Sequence, residues 1–171
     1  MYKRQELNAA ARTAIASADK VSNPGCYPQG FILSVLPLIE AGLLDAATPL
    51  RCYAVSGYSG GGRQMIESFQ ARTKTQADAL NTQAYGLTQS HKHLPEMQHY
   101  SGCDQAPIFL PTVAHYYKGM LVSVALFAEE LSGATPEDVQ RALAQRYAGE
   151  RFIKVPPANA AESSSNGYLN P

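Results

Sequence analysis

The segment Asn23-Pro24-Gly25-Cys26-Tyr27-Pro28 places a thiol directly after a Pro-Gly turn and before a run of apolar residues at helical spacing. A cysteine in the first turn of a helix sits among unpaired N–H groups at the positive end of the helix dipole, an arrangement that favours the nucleophilic thiolate. The same free amides can hold the oxyanion that forms when a thiol adds to a carbonyl. Cys26 therefore reads as a nucleophile toward an acyl carbon. Cys52, inside an alternating run, and Cys103, in a Ser-Gly-Cys-Asp loop, read as small buried hydrophobes. A thiol acting on an acyl compound needs a base that takes its proton and returns it later, and an imidazole oriented by a carboxylate suits that task near neutral pH. His91-Lys92-His93-Leu94-Pro95-Glu96 offers both groups, with His91 and His93 equally eligible. A zinc site would need further ligands from His99, His115 or a distant cysteine at no recognisable spacing, so no metal is expected.

Two further segments are suited to anions. In Ser59-Gly60-Gly61-Gly62-Arg63 the glycines let backbone N–H groups turn toward an anion and the arginine supplies a bidentate fork. Lys118-Gly119 can present an ammonium from a turn. Neither segment has the glycine spacing of a dinucleotide or nucleotide phosphate loop.

The elements that must position these groups follow from periodicity. Residues 8–19 form an Ala-rich helix capped by Asn8. From Cys26 to about Gly42, the residues Phe31, Ile32, Val35, Leu36 and Ile39 recur at helical spacing, with Pro28 in the first turn, Pro37 as an internal kink and Gly42 as the stop. Residues 51–55 alternate as a strand, and residues 64–71 form a short helix opening from the glycine loop. Residues 72–90 read as a long polar loop. Residues 107–111 and 120–127 read as strands, the second central in its sheet. Thr135-Pro136-Glu137-Asp138 starts a helix with Val139, Leu143 and Tyr147 on one face, and residues 152–155 read as a last strand. The expected class is α+β, a mixed and largely antiparallel sheet with helices on one face.

The chain has 171 residues with 14 basic and 14 acidic side chains, a size suited to one domain. Balanced charge argues against a nucleic-acid partner or a polybasic membrane patch. No apolar run approaches the roughly 20 residues of a spanning helix, and three cysteines are too few for a disulfide framework, so a reducing cytoplasmic setting is expected. Charged residues reach only 16%, against about 25% in ordinary domains, which points to a surface covered by another domain or subunit.

The ends read as those of a fragment. Met1-Tyr2-Lys3-Arg4-Gln5 is what the triplets GTG-TAT-AAG-AGA-CAG of a DNA-library transposase adapter would encode if GTG served as a start, and residues 1–5 are expected to be that artefact. Residues 162–171 are a loop without a closing element, so truncation at the C-terminus is expected too.

Taken together, Val21 to Pro28 with Gly30 and Pro37, Ser56 to Arg63, His91 to Glu96, and Pro107 through Met120 resemble the N-acetyl-gamma-glutamyl-phosphate reductases of arginine biosynthesis, in their shorter type 2 form, over residues 6–171. Gln29, where threonine is usual, and Ser34 depart from that family's signature. The resemblance implies a fold like the C-terminal domain of glyceraldehyde-3-phosphate dehydrogenase. It implies that residues 21–171 are a catalytic and dimerisation domain, that residues 6–20 are a remnant of a nucleotide-binding domain, and that the Rossmann domain itself is missing. It also implies NADPH-dependent reduction of N-acetylglutamyl 5-phosphate to the semialdehyde through a thioester on Cys26, with a homo-oligomer as the working form. By the same likeness His91 or His93 is the acid/base and Glu96 orients it. Ser59, Gly60, Arg63 and Lys118 would hold substrate, and Gly25 and Pro28 would lie near the NADP(H), most of whose site is absent. The fragment alone is expected to be inactive. A semialdehyde dehydrogenase of the aspartate or lysine pathway is the nearest alternative, and a non-catalytic oligomerisation module is another.

Overall fold

The computed structural model describes residues 6–72 and 81–157, so the expectations for residues 1–5, for residues 158–171 and for part of the polar loop fall outside the described residues. Asn8 caps the first helix, α1 (Ala9–Ala16), by accepting from the Ala11 N–H at 2.8 Å. Arg12 at its middle pairs with Glu150, and Arg146 donates to the Leu7 carbonyl. These contacts tie the start of the described residues to the stretch from Arg146 to Glu150.

Helix α2 (Cys26–Glu40) is the centre of the molecule. Phe31, Ile32, Val35 and Leu38 on it are at most 3% exposed. Pro37 costs such a helix about 3 kcal/mol through its missing N–H and ring clash. Full burial of each large apolar side chain returns about 1.5–3 kcal/mol, so four of them decide in favour of the helix. Its end is a Schellman turn: Gly42 takes a left-handed φ of 69°, its N–H bonds the Ile39 carbonyl at 3.0 Å, and the Leu43 N–H bonds the Leu38 carbonyl at 2.9 Å.

The sheet has the order β2-β3-β1-β4, with β1 (Arg51–Gly57), β2 (Thr82–Ala84), β3 (Ile108–Ala114) and β4 (Met120–Ala125). β1 and β3 run parallel, while β1–β4 and β2–β3 are antiparallel, as expected for a mixed, mainly antiparallel sheet. Cys52, Ala54, Phe109 and Val122 turn toward α2 and join the core with it. The approach is close enough that a Cβ on Gly30 would meet Val122 Cγ2 at 2.7 Å. Tyr53, Ile108 and Leu121 lie on the opposite, open face.

Around the sheet lie α3 (Gly62–Gln70), entered through a 3-10 turn at Tyr58–Gly61, α4 (Leu94–Ser101) and α5 (Pro136–Arg146). Thr135 caps α5 in a reciprocal box with Asp138, and Val139, Leu143 and Tyr147 face the core as their spacing requires.

Three expectations are corrected. β4 is an edge strand rather than a central one, because among the described residues only β1 pairs with it and Leu121 is 63% exposed. Residues 152–155 form no strand; Phe152 is 74% exposed and the segment has no ladder to join. The polar stretch is not wholly loop, since Thr82–Ala84 pairs with Thr112–Ala114.

Candidate active site

Two helix N-termini meet at the site. Cys26 is the first residue of α2, exposed, with Gly25 as the cap position. The cap residue and the first three residues of a helix carry N–H groups without an intrahelical acceptor; here the Gly25 N–H faces Glu96, Pro28 has none to offer, and those of Cys26 and Tyr27 remain. His93 is the cap residue of α4, and Glu96 stands in that helix's first turn, where the dipole favours a carboxylate. Burial of Leu94 and Met97 in the core fixes this helix start.

The two termini interlock at Gly25. Its N–H lies 3.4 Å from both carboxylate oxygens of Glu96. A Cβ there would fall 2.6 Å from His93 Nε2 and 2.9 Å from Glu96 Oε2, so the imidazole and the carboxylate converge on one point beside the Gly25 Cα. Gly25 has φ −61° and ψ 142°, a conformation open to any residue. Space, not backbone torsion, requires glycine.

Cys26, His91 and His93 line one pocket of about 310 Å³, together with Tyr27, Ser56, Gly60, Gly61, Tyr85 and Lys92. His91 and His93 stack edge-on at 4.6 Å, and the His93 N–H donates to His91 Nδ1 at 3.2 Å. The rings of Tyr27 and Phe109 press edge-on against His91 at 6.3 and 5.2 Å. Burial, and then the Lys92 ammonium beside it, hold the His91 imidazole below its ordinary value of 6.5. Titration of His91 by NMR should therefore give a midpoint under 6.5. The unfolded chain binds the extra proton between that midpoint and 6.5, so the fold's stability from this group rises with pH across the window and is lost below it. A midpoint at or above 6.5 would contradict the burial of this ring.

The loop carrying the histidines is held by a device without a local sequence signature. Gln89, at a left-handed φ of 56°, pairs its side-chain amide with both backbone groups of Phe109, accepting at 2.8 Å and donating at 2.9 Å. The Tyr85 N–H donates to the Pro111 carbonyl at 3.1 Å. Residues 85–89 thus continue along β3 beyond the end of β2, and Pro111 is tolerated because its missing N–H falls where the regular ladder has stopped.

The remaining residues singled out in the sequence are placed as follows. Gly60 lines the pocket. Ser59 sits in the adjoining 3-10 turn, its N–H bonded to the Tyr117 carbonyl. Arg63 points outward, 90% exposed, and pairs with Glu67 at 2.6 Å. Lys118 is exposed in the β3–β4 turn and is not among the pocket-lining residues. Pro28 is fully buried. Lys92, which the reasoning from sequence passed over, is the cation that lines the pocket; its place between the two histidines was the available signal. Tyr85 was also passed over, and an isolated tyrosine in a polar stretch gives no signal. Cys52 is fully buried and burial pushes its thiol up to about 12, while Cys103 is buried and raised for the same reason, so both serve packing.

Among the described residues, no group of three or more His, Cys, Asp or Glu side chains is arranged to hold a metal, and no helix is long and apolar enough to cross a membrane. Among the described residues the four-stranded sheet has a single parallel pair and no glycine-rich strand-to-helix turn of the dinucleotide type, so no Rossmann-like sheet is seen.

Residues 26–167 match the family described as semialdehyde dehydrogenase, dimerisation domain. An N-acetyl-gamma-glutamyl-phosphate reductase of Allorhizobium ampelinum is 43% identical over 155 residues, covering 90% of this chain and 50% of the relative. That of Brucella ovis is 44% identical over 157 residues, covering 91% and 51%. N-acetyl-gamma-glutamyl-phosphate reductase 2 of a Nostoc species is 41% identical over 161 residues, covering 92% and 50%. The chain spans about half the length of the curated relatives it matches. A thiol at a helix start, imidazoles in its pocket and a carboxylate behind them stand within the matched residues, and the chain belongs to the semialdehyde dehydrogenase family, through its dimerisation domain.

Proposed function

We propose that this chain carries the acyl-transfer centre of an N-acetyl-gamma-glutamyl-phosphate reductase. The observation that supports the reading best is the shared pocket of Cys26, His91 and His93 at the start of α2. Cys26 gives its proton to an imidazole, and the thiolate adds to the acyl carbon of N-acetylglutamyl 5-phosphate. The carbonyl re-forms as the carbon–oxygen bond to phosphate breaks, leaving a thioester and inorganic phosphate. His91 is kept neutral by its surroundings and His93 Nε2 reaches the Gly25 Cα, so either imidazole can accept the proton at neutral pH. Glu96 holds Gly25 and His93 in register from behind. Lys92 faces the phosphate, with Arg63 and Lys118 outside the pocket. NADPH would supply the hydride that turns the thioester into the semialdehyde, and its binding is assigned to residues beyond those described. The open sheet face bearing Tyr53, Ile108 and Leu121 supports self-association, in keeping with the dimerisation-domain match.

The test is incubation of the 171-residue chain with N-acetylglutamyl 5-phosphate and NADPH. The expected result is release of phosphate, about one per chain, without NADPH oxidation. NADPH oxidation by this chain alone would contradict the assignment of the nucleotide site. Faster phosphate release from aspartyl phosphate would place the chain with the aspartate-pathway enzymes instead.

A further inference from the structure

Three hydroxyls form a row beside the thiol. Tyr27 Oη lies 2.7 Å from Ser56 Oγ and 2.9 Å from Tyr85 Oη, and both outer members, Ser56 on β1 and Tyr85 past the end of β2, line the pocket that holds Cys26. The middle member, Tyr27, is buried in the core. Three hydroxyls own three protons, and two hydrogen bonds consume two, so a row oriented one way leaves a single O–H for the pocket. Ser56 is buried in the strand and Tyr85 is half-buried; with Ser56 donating to Tyr27 and Tyr27 to Tyr85, the remaining O–H is at the Tyr85 end. Tyr85 stays protonated: burial drives its ionisation well above the ordinary phenol range. Each hydroxyl in such a row polarises the next and strengthens the terminal donor.

We propose that the Tyr85 hydroxyl, oriented through Tyr27 and Ser56, donates a hydrogen bond to the acyl oxygen of the compound that Cys26 attacks. The inference rests on the acyl-transfer reading above. As sulfur bonds to the carbonyl carbon, the π pair moves onto oxygen, and Tyr85 meets the charge there. The pair returns as the phosphate leaves, and no proton is transferred from Tyr85. Tyr85 is then a substrate-contacting residue, and Tyr27 and Ser56 are positioning residues.

Two rates on the same chain test this. Phosphate release from N-acetylglutamyl 5-phosphate passes through an oxyanion, whereas alkylation of Cys26 by iodoacetamide does not. Tyr85→Phe is expected to slow phosphate release about 10- to 100-fold and to leave alkylation within about twofold. Tyr27→Phe, which keeps the Tyr85 donor but cuts its support, is expected to slow release about 3- to 10-fold with alkylation likewise unmoved; it supplies the result should Tyr85→Phe fail to fold. Wild-type phosphate release in both variants would overturn this inference alone. An equal loss in both rates would show a structural role and overturn it too. Absence of phosphate release from the unsubstituted chain would overturn the acyl-transfer reading and this inference with it.

Discussion

Replacing Cys26 by serine is expected to lower phosphate release from the acyl phosphate by at least about a thousandfold. A serine hydroxyl at this position keeps the size of the side chain and the neighbouring helix amides but not the nucleophile. Cys26 is exposed at the mouth of the pocket and packs no core. The substitution should therefore leave stability within about 0.5 kcal/mol, which urea unfolding can check. The pair of outcomes separates chemistry from folding: a large loss of stability would mean that the residue is structural, and retained phosphate release would mean that another group accepts the acyl moiety.

Gly25→Ala should slow phosphate release strongly as well, though less than the loss of the thiol, by crowding side chains rather than removing one. The added methyl would stand 2.6 Å from His93 Nε2, 2.7 Å from its Cδ2 and 2.9 Å from Glu96 Oε2, nearer than real contacts allow. The backbone at φ −61° and ψ 142° accepts alanine, so the imidazole and the carboxylate must give way instead. A shift of about 1 Å at such a site costs on the order of 100-fold in rate, and the crowding about 1–3 kcal/mol in stability. Gly42→Ala is the control. It strains a left-handed position at φ 69° with open space around it, and it should lower stability while leaving the rate unchanged. An alanine at position 25 with unimpaired phosphate release would show that His93 and Glu96 are not the groups that matter.

Local rules were enough for the parts of this fold in which one residue governs its own neighbourhood. Asn8 and Thr135 cap their helices, Gly42 stops α2, and the Pro-Gly turn puts Cys26 on a helix's first residue. The class of fold, the thiol's helical setting and the packing roles of Cys52 and Cys103 were legible for the same reason. What escaped depends on partners far along the chain. The apolar run at 120–127 looks central by composition, yet pairing, among the described residues, with β1 alone makes it an edge whose outer side chains stay open. β2 is three exposed residues, Thr-Gln-Ala, that count as a strand only through their bonds to β3. Gln89 behaves as a strand by lending its side-chain amide to Phe109, which no propensity describes.

The candidate site divides along the same line. Cys26, His91, His93 and Glu96 announce themselves by residue type and spacing, and they stand at two touching helix ends. The cations did not, because a cation's chemistry says nothing about which way a turn points it. Arg63 ends beside Glu67, and Lys92 ends at the pocket. The hydroxyl row of Ser56, Tyr27 and Tyr85 draws one member from each of three separated segments and was invisible for that reason.

The most direct measurement is peptide mapping of the chain after brief exposure to N-acetylglutamyl 5-phosphate, quenched in acid to preserve a thioester. The account predicts the acyl mass on the peptide bearing Cys26 and none on those bearing Cys52 or Cys103, with one phosphate released for each acyl group. An acyl group spread over the three cysteines, or found on any residue other than Cys26, would contradict it.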